Sequence, residues 1–407
     1  MKRLFEQFLE SEAKGGILLF AAALLAFLLS NSPCKDAYFA LREIPVAVRF
    51  GGFYLEKDLL HFVNDFLMAI FFLLVGLELK RELLTGELKE PRRAALAIAA
   101  ALGGMIVPAL IYTALNAGGP GAAGWGVPMA TDIAFALGVV ALLGKRVPFA
   151  LKVFLTALAI VDDLGAVLVI AFFYTAKLSV PALLKAGLVY LGLLGLGRFG
   201  VRNLSPYLIL GLVLWFFILK SGIHATLAGV LLAFAIPIAA GPKKLPRPET
   251  TPRDLEAIEA ELEHLEAEAA HAQSPLHRLE HFLHPWVAYG ILPVFAFMNA
   301  GVSLEAIALG PVAWGAFWGL LLGKPIGILL FSHLAVRTGL ARLPSGVGWY
   351  ALASIGVVAG IGFTMALFIA GLAFSGPLLD QAKIGVLSAS VAAALLGAAM
   401  LYRVKPA

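Results

Sequence analysis

The stretch from Ala150 to Tyr174 is long and apolar enough to cross a bilayer, yet two adjacent carboxylates, Asp162 and Asp163, stand near its middle. A charge at that depth costs roughly 2.5 to 3.5 kcal/mol on insertion scales, so a chain keeps one there where it serves a pathway or closes a pair. Comparable apolar runs recur as far as Leu401 without the alternating polarity of barrel strands, and helices satisfy their own backbone hydrogen bonds in lipid. With 60% hydrophobic and 14% charged residues among 407, too few polar side chains remain to solvate a globule of this size. The sequence therefore predicts an all-α polytopic membrane protein whose surroundings are the lipid bilayer.

Hydropathy, with breaks at glycine, proline and charge, predicts about twelve transmembrane helices near 15–29, 59–79, 94–115, 122–143, 149–175, 181–197, 206–219, 222–240, 284–299, 313–335, 349–374 and 380–402. The first run reads as a retained helix, because Asn31-Ser32-Pro33 offers no small-x-small cleavage site. An even count puts both termini on one side. With that side cytoplasmic, and with residues near a span end counted in the adjoining segment, 22 Lys and Arg fall inside and 8 outside, and Lys324 alone is left deep within a span. This bias follows the positive-inside rule. The pI near 9.2 thus reports orientation; basic residues spread through loops make no patch for nucleic acid. Cys34 is the only cysteine, which excludes an intrachain disulfide and Cys-ligated metal sites.

Two segments between spans are distinctive. Around Gly51-Gly52, Ile44 to Phe50 and Phe53 to Leu55 read as an external β-hairpin within 42–57, a candidate interface. In 243–273, a proline-rich start leads into Asp254 to Ala272, where Leu255, Ile258, Leu262, Leu265 and Ala269 repeat at helical spacing among seven acids. That pattern predicts a solvated cytosolic helical loop.

The other ionisable residues expected at spanning depth are Asp65, Glu78, Asp132, His224 and Lys324. Successive helix residues point about 100° apart, so Asp162 and Asp163 take different jobs. Hard cations such as Na⁺ prefer carboxylate, hydroxyl and carbonyl oxygen, which Thr131, Asp132 and Asp163 offer. Burial favours a protonated carboxylate and a neighbouring cation the ionised one, so proton and Na⁺ exclude each other on one oxygen. Lys324 keeps its charge only beside a carboxylate such as Asp162.

Span four opens with Gly124-Trp125-Gly126-Val127-Pro128, and span eleven contains Gly356 to Gly362 with three glycines in seven residues. Both read as interrupted helices, and their placement predicts inverted repeats over 94–175 and 313–402. At such breaks Asp132 and Lys324 are expected to neutralise positive and negative helix ends respectively. Two patterns carry less. Gly195-Leu196-Gly197-Arg198-Phe199-Gly200 matches GxGxxG but has no strand before it. His277, His281 and His284 share a helical face, where titration beside Glu280 is the simpler reading than a metal.

Ala130-Thr131-Asp132-Ile133-Ala134-Phe135-Ala136-Leu137-Gly138 and Ala159-Ile160-Val161-Asp162-Asp163-Leu164-Gly165-Ala166 resemble the NhaA family of bacterial Na⁺/H⁺ antiporters. So do His61 to Asp65, Phe71 to Glu78, Gly222 to Thr226, Glu280-His281 with His284-Pro285-Trp286, and Gly323-Lys324-Pro325, so that nearly the whole chain is covered. The resemblance implies a transporter of the bacterial inner membrane, neither an enzyme nor cofactor-dependent, exchanging Na⁺ or Li⁺ for H⁺ electrogenically. It implies Asp163 as principal Na⁺ and proton carboxylate, with Asp162 beside it, Lys324 as exchangeable partner, and Thr131 and Asp132 shaping the site. Asp163 and Asp162 are then the metal (Na⁺) ligands, and Asp65 is supporting. Glu78, Glu82, His224, Glu280, His281 and His284 match positions tied to pH response, and the hairpin implies a homodimer. The stretch 243–273 is longer and more acidic than the family linker. The competing readings are a Na⁺-coupled symporter of an organic solute and an intramembrane aspartyl hydrolase; the latter needs carboxylates from two helices.

Overall fold

The computed structural model describes residues 2–50, 53–86, 89–175, 178–238, 274–304, 309–344 and 346–404. The expected acidic helix, 254–272, and the Gly51-Gly52 turn lie outside the described residues.

Helix α1 (Lys2–Ser30) is followed by α2 (Lys35–Arg42), which turns away by 118° and so does not extend the span. Strands β1 (Pro45–Phe50) and β2 (Phe53–Asp58) pair antiparallel, from Pro45 opposite Asp58 to Phe50 opposite Phe53, as the glycine pair predicts. Asp58 then caps α3 (Leu59–Thr85) by accepting the His61 N–H at 2.7 Å. The remaining helices are α4 (Pro91–Asn116), α5 (Ile133–Leu142), α6 (Phe149–Phe173), α7 (Val180–Arg198), α8 (Leu204–Ser221), α9 (Leu227–Ala235), α10 (Pro275–Ala300), α11 (Pro311–Arg337), α12 (Trp349–Val358), α13 (Phe363–Ala373) and α14 (Gly376–Tyr402). A 3₁₀ segment, Pro120–Met129, precedes α5.

Eight of these helices are long and apolar enough to cross a membrane, up to eleven when each bent pair counts as one. Span eight, expected over 222–240, contains among its described residues the nine-residue α9 as its one helix. At 1.5 Å per residue it covers about half of a 30 Å hydrocarbon core. Its limits have local causes. Gly222 ends α8 in the left-handed region (φ 86°), a conformation glycine adopts without steric cost. Pro237 follows closely on the C-terminus, and Lys80 of α3 donates to the carbonyls of Phe234 and Ile236 at 2.7 and 2.5 Å, satisfying helix-end acceptors.

The two interrupted spans are both present. Pro120–Met129 meets α5 at 45°, and α12 meets α13 at 50°. Helix α6 passes through the interior, with 56% of its apolar window buried against 11% for α7, whose Leu184, Leu188 and Leu191 face outward. The face that carries the paired aspartates, each 1% exposed, is thus turned into the bundle. Helix α4 packs along both α6 and α11. At the α4–α11 contact Gly103 lies against Gly327, where an added Cβ would sit 2.1 Å from the Gly327 carbonyl. Only glycine permits that approach, and it brings Lys324 alongside α6.

Candidate ion-translocation site

At the crossing of the interrupted spans, the chain loses helical hydrogen bonds and recovers them from side chains. Asp132, 2% exposed, precedes α5, and its Oδ1 accepts the Phe135 N–H at 2.9 Å. Its Oδ2 accepts the N–H and hydroxyl of Thr364 at 3.0 and 2.5 Å. One carboxylate thereby caps the positive ends of α5 and α13 together, the role expected of it. The opposite polarity is met by neutral donors. The Thr131 hydroxyl donates to the Ala359 carbonyl at 2.9 Å, and the Asp132 N–H to the Ile361 carbonyl at 2.7 Å.

Lys324 was expected either to neutralise those negative ends or to stand beside a carboxylate such as Asp162, and its ammonium is engaged by the carboxylate. It forms an ion pair with Asp162 Oδ2, both side chains being 1% exposed. The physical reason is local: the Thr131 and Asp132 donors already serve the carbonyls, and a buried ammonium gains more from a carboxylate. Asp163 is equally buried, and its Oδ1 has no hydrogen-bond partner among the described residues; the same holds for Asp162 Oδ1. Buried polar atoms are normally paired, so an open carboxylate oxygen beside a closed ion pair is a ready acceptor for a proton or a hard cation.

A cavity approaches this centre from the end opposite the hairpin. Its walls include Glu78, Arg81, Thr156 and His284, and it reaches Ile133 and Ile160, neighbours of the Asp132 and Asp162 positions. Around its mouth Arg81 pairs with Glu280, and with Glu82 at 3.1 Å. His277 Nδ1 stands 3.7 Å from Glu280. Glu78, Glu82, Glu280 and His284 are thus gathered in one region, whereas the His281 side chain is exposed. The three histidines do not converge.

His224 belongs to the hairpin end. Its Nε2 is 3.7 Å from Asp65, its Nδ1 2.9 Å from the Thr226 hydroxyl, and its ring stands edge-on to Phe368 at 5.0 Å. Asp65 also pairs with Lys57 of β2. Sequence reasoning missed Thr364 and Arg81 as site members. Thr364 follows the Gly360-Ile361-Gly362 break, where a helix start needs a partner for its free N–H groups. Arg81 sits three residues after Glu78, one turn away on the same face.

A helical bundle with two interrupted spans and a buried Asp–Lys pair at their crossing defines the class of secondary ion transporters. The Na⁺/H⁺ antiporter 1 family model matches residues 6–401, and the chain belongs to that family. Among similar proteins is the Na⁺/H⁺ antiporter NhaA of Oleidesulfovibrio alaskensis, 52% identical over 98% of this chain and 93% of that protein. Those of Shewanella amazonensis and Shewanella pealeana are 49% and 47% identical, each over 100% of this chain and 98% of theirs.

Proposed function

We propose that this protein exports cytosolic Na⁺ or Li⁺ in exchange for external protons, electrogenically and by alternating access. The observation that carries this reading is the open, buried oxygen of Asp163 next to the closed Asp162–Lys324 pair. Asp163 alternates between proton and Na⁺. Asp162 exchanges Lys324 for the ion, and Thr131 and Asp132 hold the crossing in register. Because proton and Na⁺ compete for the same carboxylates, the apparent KM for Na⁺ rises as pH falls.

Several further assignments belong to the same reading. The interrupted spans are the cores of inverted repeats over 94–175 and 313–402, which rock against the rest of the bundle. Both termini are cytoplasmic, so the cavity bearing Glu78, Arg81 and His284 opens to the cytosol, and its charged mouth tunes the pH response. The hairpin of 42–57 joins two copies. The hydrolase reading is disfavoured by the partition of the two aspartates: Asp162 is committed to Lys324, which leaves no carboxylate dyad to share a water.

The test is Na⁺-driven proton movement in proteoliposomes, read with a pH dye and a voltage dye. Antiport appears as a Na⁺-dependent pH change that a membrane potential accelerates. A requirement for an organic solute would replace this reading with symport.

A further inference from the structure

Ten consecutive residues, Pro120–Met129, form the 3₁₀ segment, although 3₁₀ runs beyond three or four residues are uncommon because their hydrogen bonds are poorly aligned. Pro128, inside the segment and without an N–H, excludes α geometry at its end; the stretch ahead of it is held from outside. The Tyr112 hydroxyl donates to the Gly121 carbonyl at 2.9 Å. The Tyr174 hydroxyl donates to the Ala123 carbonyl at 2.8 Å and accepts the Gly126 N–H at 3.2 Å.

Ala123 and Gly126 are three residues apart, so this carbonyl and this N–H are each other's partners in a 3₁₀ ladder. In an α-helix both would re-pair, Gly126 with Ala122 and Ala123 with Val127. The Tyr174 hydroxyl therefore occupies one rung of the ladder from both sides and opposes conversion to α. Trp125 reinforces the contact by standing edge-on to Phe173 at 5.0 Å.

Tyr174 is also the residue that ends α6, the helix bearing Asp162 and Asp163. The 3₁₀ segment leads directly to Thr131 and Asp132. At about 2.0 Å rise per residue against 1.5 Å, the roughly seven residues ahead of Val127-Pro128 would shorten by about 3 to 4 Å on becoming α. Such a shift would carry Asp132 out of hydrogen-bond reach of Thr364.

We propose that the Tyr174 hydroxyl is a positioning group for the transport site: it holds Pro120–Met129 extended and so sets the height of Thr131 and Asp132 against the carboxylates of its own helix. The inference rests on the reading of that centre as the Na⁺ site. Release of the rung lets this half of span four shorten, and its return restores the crossing.

The experiment compares wild type, Tyr174→Phe and Tyr112→Phe in proteoliposomes, with amide hydrogen exchange over 120–129. Loss of one hydrogen bond is worth about five-fold. Tyr174→Phe is expected to raise the apparent KM for Na⁺ by about that factor, to keep the rate at saturating Na⁺ within about two-fold, and to speed exchange at Gly126 and its neighbours. Tyr112→Phe, which removes a bond from the same segment without touching the rung, leaves KM within about two-fold. Equal effects of the two variants, or wild-type KM and exchange in Tyr174→Phe, overturn the proposal. Should Tyr174→Phe fail to insert, wild-type exchange over 120–129 decides it: a change on adding saturating Na⁺ supports the rung, and none overturns it. Exchange activity retained by Asp163→Asn would instead remove the underlying site reading.

Discussion

Asp132 at the crossing and Asp163 on α6 are both almost fully buried, but they are solvated by the protein in opposite ways. Asp132 accepts three hydrogen bonds from two helix starts, while Asp163 has an oxygen that meets no donor among the described residues. A saturated carboxylate is part of the architecture, since its charge is met by the N–H and hydroxyl donors of two helix starts whenever the crossing is in register. An unsaturated one is available to exchange partners. Burial alone would class the two together, and the hydrogen-bond inventory separates them.

The contrast is sharpest in Asp163→Asn. The account predicts loss of Na⁺-dependent proton movement by more than about 100-fold, because a neutral amide neither carries the proton nor draws the cation. Insertion and thermal unfolding should stay near wild type, since no structural bond is lost.

Next comes Lys324→Ala, which strands Asp162 in the interior. Breaking a buried pair from one side costs about 3 to 5 kcal/mol, so the variant should unfold at lower temperature in detergent. Adding Asp162→Leu should recover much of that stability without restoring wild-type charge movement. Undiminished stability in Lys324→Ala would show that the pair is not closed in the resting protein.

A smaller change is expected from Thr364→Val, which removes the hydroxyl from Asp132 but keeps the backbone N–H. The loss should be about 1 to 2 kcal/mol of stability, with a modest rise in KM for Na⁺. A loss of transport as severe as in Asp163→Asn would erase the distinction between the two carboxylates. Lys57→Gln should matter least. Its side chain is 31% exposed, and a partly solvated pair of this kind is worth about 1 kcal/mol or less. Exchange should therefore stay close to wild type in that variant.

The helical class, the hairpin, both interrupted spans and the buried ion-pair residues were legible in the sequence. In each case one strong local signal acts: apolar length, a Gly-Gly turn, glycine within a span, or a charge where lipid forbids it. What stayed hidden depends on neighbours distant in the chain. Gly222 and Pro237 mark the neighbourhood of α9 in the sequence, but the lysine that donates to its last carbonyls, Lys80 of α3, is a partner to which hydropathy is blind. Thr364 reads as an ordinary polar residue until the folded chain sets it against Asp132. Lys324 was placed at helix ends by polarity as well as beside Asp162, but the Thr131 hydroxyl and the Asp132 N–H meet the Ala359 and Ile361 carbonyls there. His224 was grouped with the other titratable residues, although its loop carries it to Asp65 and the hairpin end.

The most direct test of the central claim is the luminal pH of proteoliposomes after Na⁺ addition at several external pH values, for wild type beside Asp163→Asn. The account predicts a Na⁺-dependent pH change in wild type, with a KM for Na⁺ that rises as pH falls, and none in the variant. Equal pH changes in the two proteins would contradict it.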